Sequence, residues 1–359
     1  MTVGQAIAAS RPLPVLTNSR MKNARGCLRY DKYRYVLRYK PARQTAALRF
    51  GSLMHAGLEV WWRGYRLPHE ERLAATLAAL QGEADPFERA KAEALLIGYH
   101  ERWHDDRTYD IAEVLAVEAE FEGPLVNPRT GAESRTWRRG GKVDAIIADS
   151  YGNASVVEHK TSSEDIRQGS DYWLRLRMDS QVSTYYEGAR FLGHDVVGCI
   201  YDVLGKPALR PLKATALDAR KYTKDGRLYA NQHETDETPD EYKIRILEDI
   251  AEDPTGYFQR GDVPRLERDM EEALLDDWQF AKFLRVAVRD DIAPRNPDAC
   301  KRFGRICEYF PICTGAGSLE DPSLYVRVDD PNTELSGGLT VPIAVSDEDD
   351  SRGEPRYAP

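Results

Sequence analysis

Residues 140–160 read GGKVDAIIADSYGNASVVEHK, and this stretch decides the fold. Two β-rich runs, 135–148 and 155–160, flank DSYGN, a cluster of turn formers. The pattern predicts an antiparallel hairpin centred on Tyr151. Asp144 and Glu158 are equidistant from that centre, so the hairpin sets them opposite each other, with Cβ atoms about 5 Å apart. Like charges so opposed are unfavourable, and a bound divalent cation supplies a reason to keep them. Mg²⁺ takes oxygen ligands from few carboxylates and keeps places for water and phosphate. Lys160 lies two residues beyond Glu158 and shares its strand face. Its ammonium can orient or polarise an attacking water and offset phosphate charge. A solvated hairpin with alternating charges is the plainer alternative. Val156 and Val157 weaken it, because they make the strand apolar enough to be central.

Outward from the hairpin, residues 1–20 read as an irregular leader. The tract RYDKYRYVLRYKP, from Arg29, reads as a short helix ended by Pro41. Helices are predicted over 44–65, 70–104, 172–192, 238–252 and 265–291, and strands over 111–121, 196–204 and 257–263. Residues 206–236 are polar and read as a long loop or insertion. From residue 329 the chain is acidic and rich in Gly, Pro and Ser, and reads as disordered. The order predicts a single α/β or α+β domain over 21–328, with terminal additions at 1–20 and 329–359.

The 359 residues suffice for a sizeable core. No run of about 18 apolar residues is present, and the start lacks the pattern of a signal peptide, so an intracellular protein is expected. Taken alone, the net charge of −9 argues against a nucleic-acid partner. The charge is uneven, however: residues 21–50 hold nine Lys/Arg and one acid, and residues 329–359 hold eight Asp/Glu and two Arg. Both segments can also be read as solvated surface.

Of the five cysteines, Cys300, Cys307 and Cys313 crowd near the C-terminus with spacing C-x6-C-x5-C. An odd count without an export signal argues against a disulfide framework and for a metal site. The spacing is too open for a zinc ribbon. Iron–sulfur clusters need four thiolates and tolerate wider gaps, and Cys27 is the natural fourth. Cys199, in VVGCIYDV, reads as a small hydrophobe in a buried strand.

The arrangement D-x13-E-x-K after G-K-V-D resembles the PD-(D/E)XK nucleases, specifically their RecB-like branch. GSLMHAGLE, with His55 and Glu59 on one helix face, and QVSTYY, with Gln181 and Tyr185 on another, match the same branch. Val143 stands where the family name implies a proline. The resemblance spans about residues 20–315. It implies a restriction-endonuclease-like α/β fold: a central mixed β-sheet flanked by helices, with the terminal segments joined by an iron–sulfur cluster. It also implies a catalytic group of Asp144, Glu158 and Lys160, supported by Gln181 and Tyr185 beside the active site. The implied ligands of Mg²⁺ or Mn²⁺ are His55, Asp144, Glu158 and the backbone carbonyl of His159, whose side chain then points to the opposite face. Read on its own residues, a lone histidine such as His55 on a mostly apolar helix is more often structural than a ligand.

The cysteines are similar to those of AddB-type and CRISPR-adaptation nucleases, where one cysteine before the core joins three after it around a 4Fe-4S cluster. The first gap here is longer than the C-x2-C of those relatives, and Zn²⁺ at the cysteines is the alternative. Such a cluster would act as a structural staple. Closing so long a loop is worth on the order of a few kcal/mol.

DNA is the expected partner. Arg25, Arg29, Arg34, Arg38 and Lys142 can meet phosphates, and Tyr30, Tyr33, Tyr35 and Tyr39 can stack on unpaired bases or pack on the core. The acidic tail can mimic DNA, recruit a partner or only solubilise. No Walker motif G-x-x-x-x-G-K-S/T is present, so no ATP use is expected. The expected function is a stand-alone metal-dependent DNA exonuclease of end processing and recombination, in the cytoplasm of a bacterial or phage-infected cell. It would work with a single-strand annealing or recombination protein. A non-catalytic DNA-binding or scaffold protein of the same fold is the competing expectation.

Overall fold

A computed structural model describes residues 13–302, 305–333 and 335. β1 (Val15–Leu16) leads into α1 (Asn18–Gly26), capped by Thr17, whose hydroxyl accepts from the Arg20 N–H at 3.2 Å. α2 (Leu28–Asp31) continues into a π-helical turn at Lys32–Val36, and β2 (Tyr39–Pro41) follows. α3 (Ala46–Arg63) starts at Thr45 and buries Phe50, Met54, Leu58, Trp61 and Trp62 along one stripe. α4 (His69–Ala78) precedes α5 (Pro86–Trp103), which is capped by Asp85 and has Pro86 in its first turn.

The sheet strands follow: β3 (Ile111–Val126), β4 (Glu133–Asp149) and β5 (Ala154–Ser162). α6 (Asp171–Leu176) and α7 (Ser180–Phe191) cross over to β6 (Val196–Gly205). α8 (Pro239–Glu252), with a Thr238/Glu241 capping box, and α9 (Pro254–Tyr257) lead to β7 (Phe258–Asp262). α10 (Glu267–Arg289), the pair β8 (Lys301–Arg302) and β9 (Arg305–Ile306), α11 (Phe310–Thr314) and β10 (Tyr325–Arg327) complete the described chain.

The main sheet is mixed, with strand order β1-β4-β5-β6-β7 and β3 on the other side of β4. β3, β4 and β5 run antiparallel, β5 and β6 parallel, and β6 and β7 antiparallel. The parallel pair requires the α6–α7 crossover. Helices cover both faces, as the restriction-endonuclease-like expectation requires. On one face Ala145, Ile147, Val157, Ile200 and Leu204 pack with the buried sides of α3, α5 and α8. On the other, Ile146, Val156, Tyr201 and Val203 pack with Val182, Tyr185 and Tyr186 of α7. Each fully buried large apolar side chain contributes about 1.5–3 kcal/mol relative to exposure. A Cβ on Gly57 would lie 2.3 Å from Cδ1 of Leu96, so glycine permits the close approach of α3 to α5.

Several expectations change. The irregular leader fails from residue 15 onward: Leu16 is buried with Met21, Leu125 and Trp137, and β1 pairs parallel with Arg138 and Arg139. Residues 1–12 lie outside the described residues, as do residue 334 and the acidic tail from residue 336. Pro41 does not end a helix. It belongs to β2, which pairs antiparallel with β10 through Pro41 and Tyr325. The helices expected over 70–104 and 172–192 are each two helices, broken at residues 79–85 and 177–179.

Candidate active site

The turn that fixes the site is built from side-chain chemistry. Oδ1 of Asp149 accepts from the N–H groups of Tyr151 at 2.9 Å and Asn153 at 2.8 Å, and Gly152 takes φ +85°. The register that follows pairs Ala145 with Val157. One step further, Asp144 stands across from Glu158, and the backbone N–H of His159 donates to Asp144 Oδ2 at 2.8 Å. Asp144 and Glu158 are both buried, at 7% and 1% exposure. Lys160, half-buried, pairs with Oε1 of Glu158. Oε2 of Glu158 is buried and has no hydrogen-bond partner among the described residues.

α3 brings His55 to this point, with Nδ1 3.6 Å from Asp144 Oδ1. Nδ1 also lies 3.8 Å from Oε1 of Glu118, a residue the sequence reading did not single out. Glu118 lies on β3 between the pairs Val117–Ala145 and Ala119–Val143, across from Asp144 on the side away from Glu158. It is ion-paired with Lys142 and holds φ +51°. His55, Glu118 and Asp144 offer ligand atoms that all lie within 4.8 Å of one another, a spacing that can hold a divalent cation. The hint in the sequence was Glu118, Glu120 and Glu122 alternating along one strand.

The electrostatics follow from burial and these neighbours. Burial and the adjacent Asp144 charge push the Glu158 carboxyl up to about 8, against the pull of Lys160. For Asp144, burial is outweighed by His55, His159 and Lys160, and its pKa falls below the ordinary value. Burial alone would depress His55, but Asp144 and Glu118 raise it. Burial likewise opposes the Lys160 charge, and Glu158 and Asp144 more than restore it.

α7 supplies the flank. Asp179 caps it by accepting from the Gln181 N–H at 2.8 Å, and the Gln181 amide donates to the Tyr185 hydroxyl at 2.6 Å. Burial, then the charges of Glu158 and Asp144, hold the Tyr185 phenol well above its ordinary value. The His159 ring meets a second buried group. Its Nδ1 lies 3.3 Å from Asp202 Oδ2, and Asp202 also accepts from the Tyr99 hydroxyl at 2.5 Å and pairs with Arg260 at 3.2 Å. Asp202 was passed over as part of an apolar strand, although a lone acid in VVGCIYDVLG was its signal.

Cys27, Cys300, Cys307 and Cys313 are free and half-buried, while Cys199 is fully buried in β6. Cys27 and Cys300 both act electrostatically on Cys307 and on Cys313, but among the described residues the side chains close enough to share one metal ion are His55, Glu118 and Asp144, not the thiols. Burial pushes Cys307 up to about 11, with Cys27 and Cys300 adding to the effect. The Cys307 N–H donates to the Cys300 carbonyl at 2.8 Å, and the Asn296 amide donates to the Gly26 carbonyl at 2.7 Å. The basic tract has internal partners. Arg25 pairs with Asp277 at 2.6 Å, Arg29 donates to the Ala293 carbonyl at 2.9 Å, Arg34 donates to Thr333 Oγ1 at 3.2 Å, and Arg38 donates to the Asp329 carbonyl at 3.1 Å. Tyr35 is buried, and Tyr30 and Tyr39 donate to Glu308 and Glu320. Among the described residues, no helix is long and apolar enough to cross a membrane.

A family model described as the PD-(D/E)XK nuclease superfamily matches residues 15–314. No curated protein matches the chain. Among solved structures, the chain is similar to a candidate exonuclease from Eubacterium rectale, at 12% identity and TM-score 0.42, over 90% of this chain and 94% of that one. It is also similar to the protein crystallised as SSO0001, at 13% identity and TM-score 0.24, over 70% and 88% of the two chains. Neither likeness carries the family assignment, which rests on the family match.

Proposed function

Because the chain belongs to the PD-(D/E)XK nuclease superfamily, we propose that it is a Mg²⁺- or Mn²⁺-dependent DNA exonuclease. The observation that supports this reading is the convergence of Asp144, Glu158 and Lys160 beside a buried carboxylate oxygen that has no hydrogen-bond partner among the described residues. The donor set fits a hard cation: His55, Asp144, Glu158 and the backbone carbonyl of His159 would hold it. When bound, such a cation stabilises charge developing on a phosphoryl oxygen and lowers the pKa of a water.

The chain's own groups do the rest. The His159 N–H fixes one oxygen of Asp144. Lys160 offsets the charge of the scissile phosphate and orients the attacking water. Gln181 holds the Tyr185 hydroxyl, and Tyr185 stands beside Glu158. Lys142 stands nearest the carboxylates for a DNA contact. Arg25, Arg29, Arg34 and Arg38 would add phosphate contacts through the donors their internal partners leave free.

We further propose that Cys27, Cys300, Cys307 and Cys313 hold a 4Fe-4S cluster as a staple, with Zn²⁺ as the competing occupant. The electrostatic influence of Cys27 and Cys300 on both Cys307 and Cys313 supports it. A recombination or single-strand annealing protein is the partner that an end-resecting product calls for.

The test is digestion of end-labelled single- and double-stranded DNA by anaerobically purified protein, with and without EDTA. Shortening from an end that EDTA abolishes is expected. DNA binding without cleavage would instead favour a scaffold protein. Brown colour bleached by dithionite identifies iron–sulfur, and zinc in a colourless protein overturns it.

A further inference from the structure

Three neighbouring strands carry a carboxylate at one level of the sheet: Glu118 on β3, Asp144 on β4 and Glu158 on β5. The strand pairs on either side fix this alignment, Val117–Ala145 and Ala119–Val143 on one side and Ala145–Val157 on the other. Residues so placed have Cβ atoms about 5 Å apart, and opposed like charges repel. The chain neutralises the two outer members with lysines: Lys142, two residues before Asp144, pairs with Glu118, and Lys160, two residues beyond Glu158, pairs with Glu158 itself. Asp144, in the middle, is left with the His159 N–H and the His55 ring.

We propose that Glu118 is itself a ligand of the divalent cation, so that the ion is held from β3 as well as from β4 and α3. This rests on the metal-dependent reading above and adds a residue outside the D…E-x-K pattern. Three observations carry it. His55 Nδ1 lies 3.6 Å from Asp144 and 3.8 Å from Glu118, and the three ligand atoms fall within 4.8 Å of one another. An octahedral ion with bonds of about 2.1 Å sets neighbouring ligand atoms about 3 Å apart and opposite ones about 4 Å apart, so the group needs little movement to close. Next to it, Oε2 of Glu158 is buried without a hydrogen-bond partner among the described residues, the sign of a missing ligand on the same row. Finally, Glu118 holds φ +51° within a strand, a conformation costly to a residue with a side chain. Side chains held this way gather at functional sites.

The alternative is that Glu118 serves only to neutralise Lys142. Mn²⁺ binding, measured by calorimetry and by the free-ion EPR signal without DNA, separates the two. Wild type, Glu118→Gln, Glu118→Asp, Asp144→Asn and the double variant Glu118→Gln/Lys142→Ala are compared, with circular dichroism confirming the fold. Glu118→Gln is expected to weaken Mn²⁺ binding by at least about tenfold, with Glu118→Asp in between. The double variant should stay weak. Unchanged affinity in Glu118→Gln, or recovery of wild-type affinity in the double variant, overturns the inference alone. A wild-type protein that takes up no Mn²⁺, or uptake untouched by Asp144→Asn, overturns the metal-dependent reading and this inference with it.

Discussion

The backbone N–H of His159 donates to Asp144 at 2.8 Å, while the ring of the same residue lies 3.3 Å from Asp202. One residue thus joins the candidate catalytic row to a buried ion group of Asp202, Arg260 and Tyr99.

Asp202→Asn should therefore be costly. It leaves the Arg260 charge buried without its acid, a loss of about 3–5 kcal/mol. Burial would raise Asp202, but Arg260, His159 and Tyr99 outweigh it and bring its pKa from 3.8 to about 2. A depressed folded-state pKa gives stability that is present above the unfolded value and lost as pH falls through the folded one. Of the stability gap between wild type and variant, about 2 kcal/mol should then vanish between about pH 5 and pH 2. Urea titrations across that range check it; a gap independent of pH would reject the assignment.

Lys160→Ala should fold and bind DNA yet lose cleavage by about a hundred- to thousandfold, the scale seen when one preorganised charge-stabilising group is removed. Single-turnover digestion of end-labelled DNA reads this out. A loss below about tenfold would remove Lys160 from the mechanism.

Tyr185→Phe removes the acceptor of the Gln181 amide beside Glu158. Its stability cost should be about 1 kcal/mol, that of one hydrogen bond. Its effect on cleavage should fall on kcat and leave KM within about twofold. Gln181→Ala should reproduce the same split. Equal changes in the two constants would point to DNA contact instead.

Cation binding should depend on pH. Glu158 sits up at about 8, so below that pH a bound ion must displace a proton, and the raised His55 acts in the same direction. Mn²⁺ affinity should fall by up to about tenfold per pH unit from about pH 8 to pH 6. Calorimetry in buffers of different ionisation enthalpy should show the released proton, and affinity flat across that range would contradict it.

Gly205→Ala tests the end of β6. A Cβ there would lie 2.5 Å from the Gly256 carbonyl oxygen and 3.3 Å from Cα of Tyr257, both backbone atoms that cannot swing aside. The overpacking should cost about 1–3 kcal/mol, seen as a lower thermal midpoint.

The hairpin, and with it the facing of Asp144 and Glu158, was legible because a five-residue turn fixes register locally. Gln181 and Tyr185 were legible for a similar reason, since i and i+4 meet on any helix. Glu118 was not. Its place opposite Asp144 depends on two register shifts earlier in β3, between Ile111 and Glu113 and between Val114 and Ala116. No periodicity records such shifts. Asp202 escaped because its partners come from α5 and β7, far away in sequence. The Tyr/Arg tract misled in another way. Its helical beginning was real, but Tyr39–Pro41 turn extended to pair with Tyr325–Arg327, and local propensity carries no trace of so distant a strand.

That pairing also sets an order of events during synthesis. A growing chain can complete the β4–β5 hairpin once residue 162 has emerged, but β2 has no strand partner until residues 325–327 exist. While residues 163–299 are being made, the chain can therefore hold its carboxylate row with the seam still open, Cys27 made and its three companions still to come. Closing the seam is a late, non-local step, and its rate is governed by loop entropy more than by any helix or turn already formed.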